Sequence, residues 1–434
     1  MEKHKSISRW WLIVGVIALA VAGLYSLTLV IGRAPVLSNN LEIQRIFKDA
    51  LVVHVDLSVL LWFLAVACML WSLVTSRSGS FLPYIEEASL ICFALAIIFM
   101  MVSPFDPKAV ALMSNYIPTI SSPLFLLGLG FVLCGVGFML VKLLTSTLSG
   151  YDAPIKFGIL SAGWITLIAI LCFLWSFHLM PPVIEGEQYF EMLFWGGGHV
   201  LQFTHTQVLM VVWLLMAASL FPDKTLPPKL LYALFGVGLF AAVSSPLAYV
   251  FYDVAGSGFR QFFTFQMVVL NGIAPAILSV ILLKALLRRR GKNAIASCST
   301  VSMLLFLYGG LLAMMIHGQN VVIPAHYHGS IVGITLAFMG FAYLMLPQFG
   351  YRDVSGWKLA YWQPIIYGLG QVMHVSGLAY SGGYGVLRKT AGGVDALAPN
   401  IKAALGVMGM GGLLAIIGGL LFVVVVYRSV RSKA

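Results

Sequence analysis

Residues 321–347 read VVIPAHYHGSIVGITLAFMGFAYLMLP, a run without one Asp, Glu, Lys or Arg. At about 1.5 Å per helical residue it is long enough to cross a hydrocarbon core of roughly 30 Å, which predicts a transmembrane helix. Its polar residues then stand out. His326, Tyr327 and His328 fall within the first two turns, and intramembrane polar side chains are costly enough to be candidates for function.

Runs of this kind recur along the chain, near residues 11–32, 49–75, 85–103, 122–146, 157–180, 193–221, 229–253, 263–288, 299–316, 321–347, 360–382 and 403–428. The composition agrees. Of 434 residues, 60% are hydrophobic and only 9% charged, and the mean hydropathy of +0.96 excludes a water-soluble core. The expected fold class is an all-α membrane protein of about 12 transmembrane helices, with residues 1–434 forming a single integral membrane domain. The first run follows Lys3, Lys5 and Arg9 as a signal peptide would, but it is too long and lacks a small-residue cleavage site, so it reads as a retained helix. Cys68, Cys92, Cys134, Cys172 and Cys298 are scattered singly, with no Cys-x-x-Cys-His for covalent heme attachment.

A net charge of +11 in a soluble protein would suggest nucleic acid, but here the basic residues follow topology. Most of the 26 lysines and arginines, including Arg288-Arg289-Arg290, fall on one side when the N-terminus and every second loop are assigned to it. The positive-inside rule makes that side the cytoplasm, with both termini in it, in agreement with an even number of helices. The expected partner is a lipid bilayer, the cytoplasmic membrane of a bacterium or archaeon, and not nucleic acid.

With this topology the histidines gather near the outer face. The predicted helices at 49–75, 193–221 and 321–347 run inward, with His54, His199, His326 and His328 in their first two turns; His178, His317 and His374 lie toward the outer ends of outward-running helices. A lone helical histidine is ordinarily a hydrogen-bonded core residue. Several at one depth on facing helices suggest instead a cofactor layer, imidazole being a usual axial ligand of heme iron. His326 and His328, two residues apart, point roughly 200° away from each other, so one helix can serve two hemes.

These residues carry a resemblance. Ile323-Pro324-Ala325-His326-Tyr327-His328, running on to Met339-Gly340 and Leu346-Pro347, resembles the helix-10 signature of subunit I of the heme-copper oxidase superfamily, which includes cytochrome oxidases and nitric oxide reductases. The resemblance implies a twelve-helix bundle in which His326 ligates the active-site, high-spin heme and His328 the low-spin heme. It also implies His54, in Val52-Val53-His54-Val55, as the other axial ligand of the low-spin heme, and Arg388 and Lys389 as cations for heme propionates. His317 matches the place of a polar residue near the propionates, with looser spacing.

The departures concern the distal metal. His199, in Gly196-Gly197-Gly198-His199, matches the helix-6 ligand of copper B or non-heme iron and is the candidate catalytic residue. Where two further histidines should follow Ser244-Ser245-Pro246-Leu247-Ala248-Tyr249 stand Val250 and Phe251, and Phe203 stands where a tyrosine or glutamate is found. His205 is roughly 120° around the helix from His199 and makes a poor substitute. One imidazole is too few for copper, so the expected cofactors are two hemes with the copper B or non-heme iron position in doubt. Asp56, two residues from His54, could accept a hydrogen bond there. Carboxylates for a cytoplasmic proton route are scarce. The implied function is a heme-binding membrane oxidoreductase subunit passing electrons from a low-spin heme to a second heme that binds or reduces nitric oxide or oxygen. The alternative is a non-enzymatic electron-transfer or gas-sensing heme protein. A second subunit carrying copper or heme c, or a soluble electron donor, is the implied partner.

Overall fold

The computed structural model describes residues 2–32, 41–75, 82–317, 320–384 and 398–432. Nearly all of this is helix: α1 (Glu2–Gly32), α2 (Leu41–Val55), α3 (Trp62–Val74), α4 (Leu82–Val102), α5 (Pro123–Thr145), α6 (Ala153–Leu179), α7 (Gly186–Leu220), α8 (Pro228–Ser244), α9 (Pro246–Phe251), α10 (Ser257–Gln266), α11 (Ile273–Leu286), α12 (Ala294–Ala313), α13 (Val322–Gln348), α14 (Lys358–Gly383) and α15 (Pro399–Arg431). A two-stranded antiparallel hairpin, β1 (Ala111–Leu112) and β2 (Thr119–Ile120), lies between α4 and α5 in sequence. Among the described residues, eleven helical runs are long and apolar enough to cross a membrane. The protein is an integral, multi-pass membrane protein. The remaining helix of that length, α14, corresponds to the predicted run 360–382, its apolar character diluted by Gln363, Gln371 and His374.

Three predicted spans are interrupted helices. π-helical turns at Asp56–Leu61 and Met267–Asn271 join α2 to α3 and α10 toward α11. A π turn disturbs the regular i→i−4 bonding, and Ser58 Oγ donates to the His54 carbonyl at 2.6 Å within the first of them. Between α8 and α9, Pro246 removes an amide hydrogen, and Ser245 Oγ and Gln266 Nε2 both donate to the Ala241 carbonyl, at 3.0 and 2.8 Å.

The chain packs as two compact units. The first comprises Met1–Leu19, Val52–Val211 and Lys224–Leu278. In it Trp11 packs edge-on against Phe93 at 5.0 Å and donates through Nε1 to Glu86, which also pairs with Lys142. Both members of that ion pair are 1% exposed. The second unit comprises Ala20–Leu51, Val212–Asp223 and Ser279–Ala434. Its helices meet at small residues: a Cβ on Gly309 would lie 2.3 Å from the Ser330 nitrogen, and one on Gly411 would lie 2.4 Å from the His374 nitrogen. Such close backbone approach lets helices gain packing where lipid offers no hydrophobic drive to associate.

Helix starts correct part of the histidine reading. His326 and His328 do lie in the first two turns of α13. His54 lies thirteen residues beyond Leu41 and His199 thirteen beyond Gly186, about 20 Å along each helix. Hydropathy registers only where an apolar run begins, whereas the helix extends through polar turns such as Gly186-Glu187-Gln188. His178 is exposed in the last turn of α6, and His317 is exposed beyond the end of α12.

Candidate functional site

In the second unit the α12–α13 contact positions His326. Because Gly309 has no side chain, its carbonyl comes within 2.8 Å of His326 Nδ1. A carbonyl can only accept, so Nδ1 carries the proton and Nε2 the lone pair. This is the tautomer and restraint expected of a metal-ligating histidine, whose second nitrogen is fixed by an outer hydrogen bond. His328, one residue beyond Tyr327, packs against the Tyr327 ring at 5.1 Å and against His374 of α14 at 5.1 Å, the two imidazoles 80° apart. His374 Nδ1 in turn donates to the Met408 carbonyl of α15 at 3.0 Å.

In the first unit His199 is buried, and both its ring nitrogens are engaged. Nδ1 donates to the Trp195 carbonyl one helical turn back, at 2.7 Å, so Nε2 accepts from Tyr116 Oη, also at 2.7 Å. Tyr116 belongs to the turn of the β1–β2 hairpin, whose neighbouring Asn115 donates through its backbone amide to Glu191 of α7 at 2.7 Å, with a second bond from Nδ2. The three glycines before His199 are seats for aromatic rings. A Cβ on Gly196 would meet Tyr249 Oη at 2.3 Å, one on Gly197 the Phe173 ring at 2.4 Å, and one on Gly198 Tyr116 Cβ at 2.5 Å.

Helix α9 presents Tyr249 to this cluster, held by bonds to the Cys172 carbonyl (2.8 Å) and Ser176 Oγ (2.9 Å). Val250 and Phe251 are 66% and 71% exposed and so do not enter it. Phe203 is buried and contributes no titratable group. His205 is buried edge-on to Phe63 at 5.0 Å, with Nε2 unsatisfied among the described residues. His54 is partly buried as the next-to-last residue of α2, with Val55 between it and the π turn that buried Asp56 opens. Arg388 and Lys389 lie outside the described residues. Among the described residues, no group of three or more His, Cys, Asp or Glu side chains is placed to hold a metal ion.

Sequence reading missed Tyr116 and the contacts of His374 with His328 and the Met408 carbonyl. The hairpin carries no periodicity that would have flagged its tyrosine. The glycine triplet was the available signal, since three consecutive helical positions without side chains imply close neighbours on several sides.

The chain is 32% identical, over 488 aligned positions covering 97% of it and 95% of the relative, to an uncharacterized protein of Rickettsia prowazekii (strain Madrid E). It belongs to the same family as that protein. An uncharacterized protein of Aquifex aeolicus (strain VF5) is 27% identical over 349 positions, covering 80% of this chain and 86% of the relative. No family model matches the sequence. Among solved structures, the cryo-EM structure of a heme-copper terminal oxidase dimer is similar with a TM-score of 0.73 at 14% identity, over 99% of this chain and 84% of the other. The fold is a heme-copper oxidase subunit I-like helical bundle.

Proposed function

We propose that this chain is a heme-binding membrane oxidoreductase subunit of the heme-copper oxidase superfamily, carrying electrons from a low-spin heme to a second, high-spin heme that binds or reduces a small gas, nitric oxide or oxygen. The observation that carries the reading is the α13 histidine pair on this fold: His326 has Nδ1 tied to the Gly309 carbonyl and its lone pair on Nε2, with His328 two residues on. Heme supplies a one-electron iron centre that side chains cannot. His54 and His328 would hold the low-spin heme, His326 the high-spin heme, and Arg388 and Lys389 the propionates. Electrons would come from a second subunit carrying copper or heme c, or from a soluble donor, with both termini in the cytoplasm of a bacterial or archaeal cell.

The residues at His199 do not fit copper B or non-heme iron. Both imidazole nitrogens are engaged, and the neighbouring α9 positions turn apolar side chains away. That observation favours a second reading, a non-enzymatic heme protein for electron transfer or gas sensing. Metal analysis and turnover on one purified preparation test both. Two hemes per chain without stoichiometric copper or non-heme iron is the expected composition. Nitric oxide or oxygen turnover then selects the oxidoreductase, and its absence the sensor or carrier. A preparation with no heme overturns both readings. One tightly bound copper per chain, lost in His199→Ala, overturns the assignment of His199.

A further inference from the structure

Helices α14 and α15 meet along a seam, coming into backbone contact at glycines that leave no room for a Cβ. A Cβ on Gly411 would lie 2.4 Å from the His374 nitrogen, and one on Gly377 would lie 2.5 Å from the Ala404 carbonyl. His374 is therefore held at backbone contact with α15, where its Nδ1 donates to the Met408 carbonyl at 3.0 Å. Met408 belongs to a buried cluster with Val375 and Leu378, which follow His374 by one and four residues on α14, so the acceptor sits in packed surroundings. Turning the His374 ring would break this bond, and the same ring packs against His328 at 5.1 Å and 80°.

We infer that His374 is a positioning residue for His328, holding the plane of that imidazole through the chain Met408 carbonyl, His374 ring, His328 ring. This rests on the reading of His328 as an axial ligand of the low-spin heme. Both histidines of α13 then take their orientation from a backbone carbonyl of a neighbouring helix. For His326 the Gly309 carbonyl acts directly; for His328 the Met408 carbonyl acts through one intervening ring. Hydrogen-bonded outer partners fix the ring orientation of a metal-bound imidazole; a ring packed edge-on restricts that orientation sterically, so its loss changes the electronic signature of the iron before it changes occupancy.

The experiment is low-temperature electron paramagnetic resonance of the oxidised full-length protein, comparing wild type with His374→Ala, His374→Asn and His374→Phe. Asn can place a donor near the Nδ1 position but has no ring, and Phe keeps a ring but has no donor. The expected result is a low-spin signal shifted or broadened in all three, most in His374→Ala, with the high-spin signal unchanged. Wild-type g values and line width in His374→Ala would overturn the positioning role. Loss of both signals in all three variants would overturn it too, assigning His374 to packing of the seam. Absence of a low-spin signal from the wild type, or its survival in His328→Ala, would remove the ligand assignment itself and the inference with it.

Discussion

His326 and His328 share a helix but not their surroundings, and this makes their substitutions separable. His326 answers to the Gly309 carbonyl of α12, His328 to the rings of Tyr327 and His374. His326→Ala is expected to abolish carbon monoxide binding while the six-coordinate low-spin spectrum persists. His54→Ala and His328→Ala are each expected to remove that spectrum, and reduced-minus-oxidised difference spectra distinguish the cases. A second residue-level expectation concerns the buried Glu86–Lys142 pair, which Trp11 Nε1 joins through Glu86. Removing one partner strands a charge in a nonpolar setting, a loss of roughly 3–5 kcal/mol, whereas replacing both with apolar residues is close to neutral. Glu86→Gln should lower the thermal midpoint of the detergent-solubilised protein markedly, and Glu86→Gln with Lys142→Met, which removes both charges and keeps an acceptor for Trp11 Nε1, should recover most of it. Equal midpoints for the single and double variants would show that the pair contributes through packing alone.

Individual elements owe their placement to contacts outside the local sequence. Gly309 brings α12 against α13, and the methyl of Gly309→Ala would meet backbone atoms that cannot swing aside. Overpacking of this kind costs about 1–3 kcal/mol, and here it also separates His326 from its carbonyl. The variant is expected to lose stability and to show altered carbon monoxide recombination, while Gly310→Ala, with open space around its Cβ, serves as the control. The hairpin that carries Tyr116 is braced by Asp106. The Lys108 backbone amide and then the Ser122 hydroxyl donate to its carboxylate, at 3.0 and 2.9 Å, holding its pKa below the usual value. A depressed carboxyl pKa contributes stability above the unfolded value of about 3.9, and that contribution is lost as pH falls through the lower folded value. Amide exchange in residues 103–122 should therefore accelerate as pH is lowered through 4 and below, beyond the intrinsic pH dependence of exchange. Asp106→Asn should remove that additional dependence; an identical profile in the variant would clear Asp106 of the role.

Across the molecule, the distribution of basic residues predicts orientation. Lys and Arg concentrate on the side assigned to the N-terminus and alternate loops, so reporters fused at either end are expected to be active only in the cytoplasm. A periplasmic report from either terminus would reverse or break the helix count. Helix number, the positions of most spans and the α13 histidine motif were legible because lipid imposes long apolar runs and because His326 and His328 lie two residues apart in one of them. Helix starts at Leu41 and Gly186 and the π turns were not legible, because hydropathy registers burial in lipid and is blind to a helix continuing through polar turns.

Apolar run length and the spacing of two histidines already implied a multi-helix membrane protein with a candidate cofactor layer. The state of each imidazole required three dimensions. Whether a nitrogen can ligate depends on what its ring partner touches, and those partners are remote in sequence: Gly309 for His326, Met408 for His374, Tyr116 for His199. Val250 and Phe251 could be read as missing ligands, but their outward direction is set by Tyr249 anchoring α9 to Cys172 and Ser176 of α6. A hydrogen bond between residues tens of positions apart leaves no periodic trace in either segment, because each is chosen to suit the other helix rather than its own.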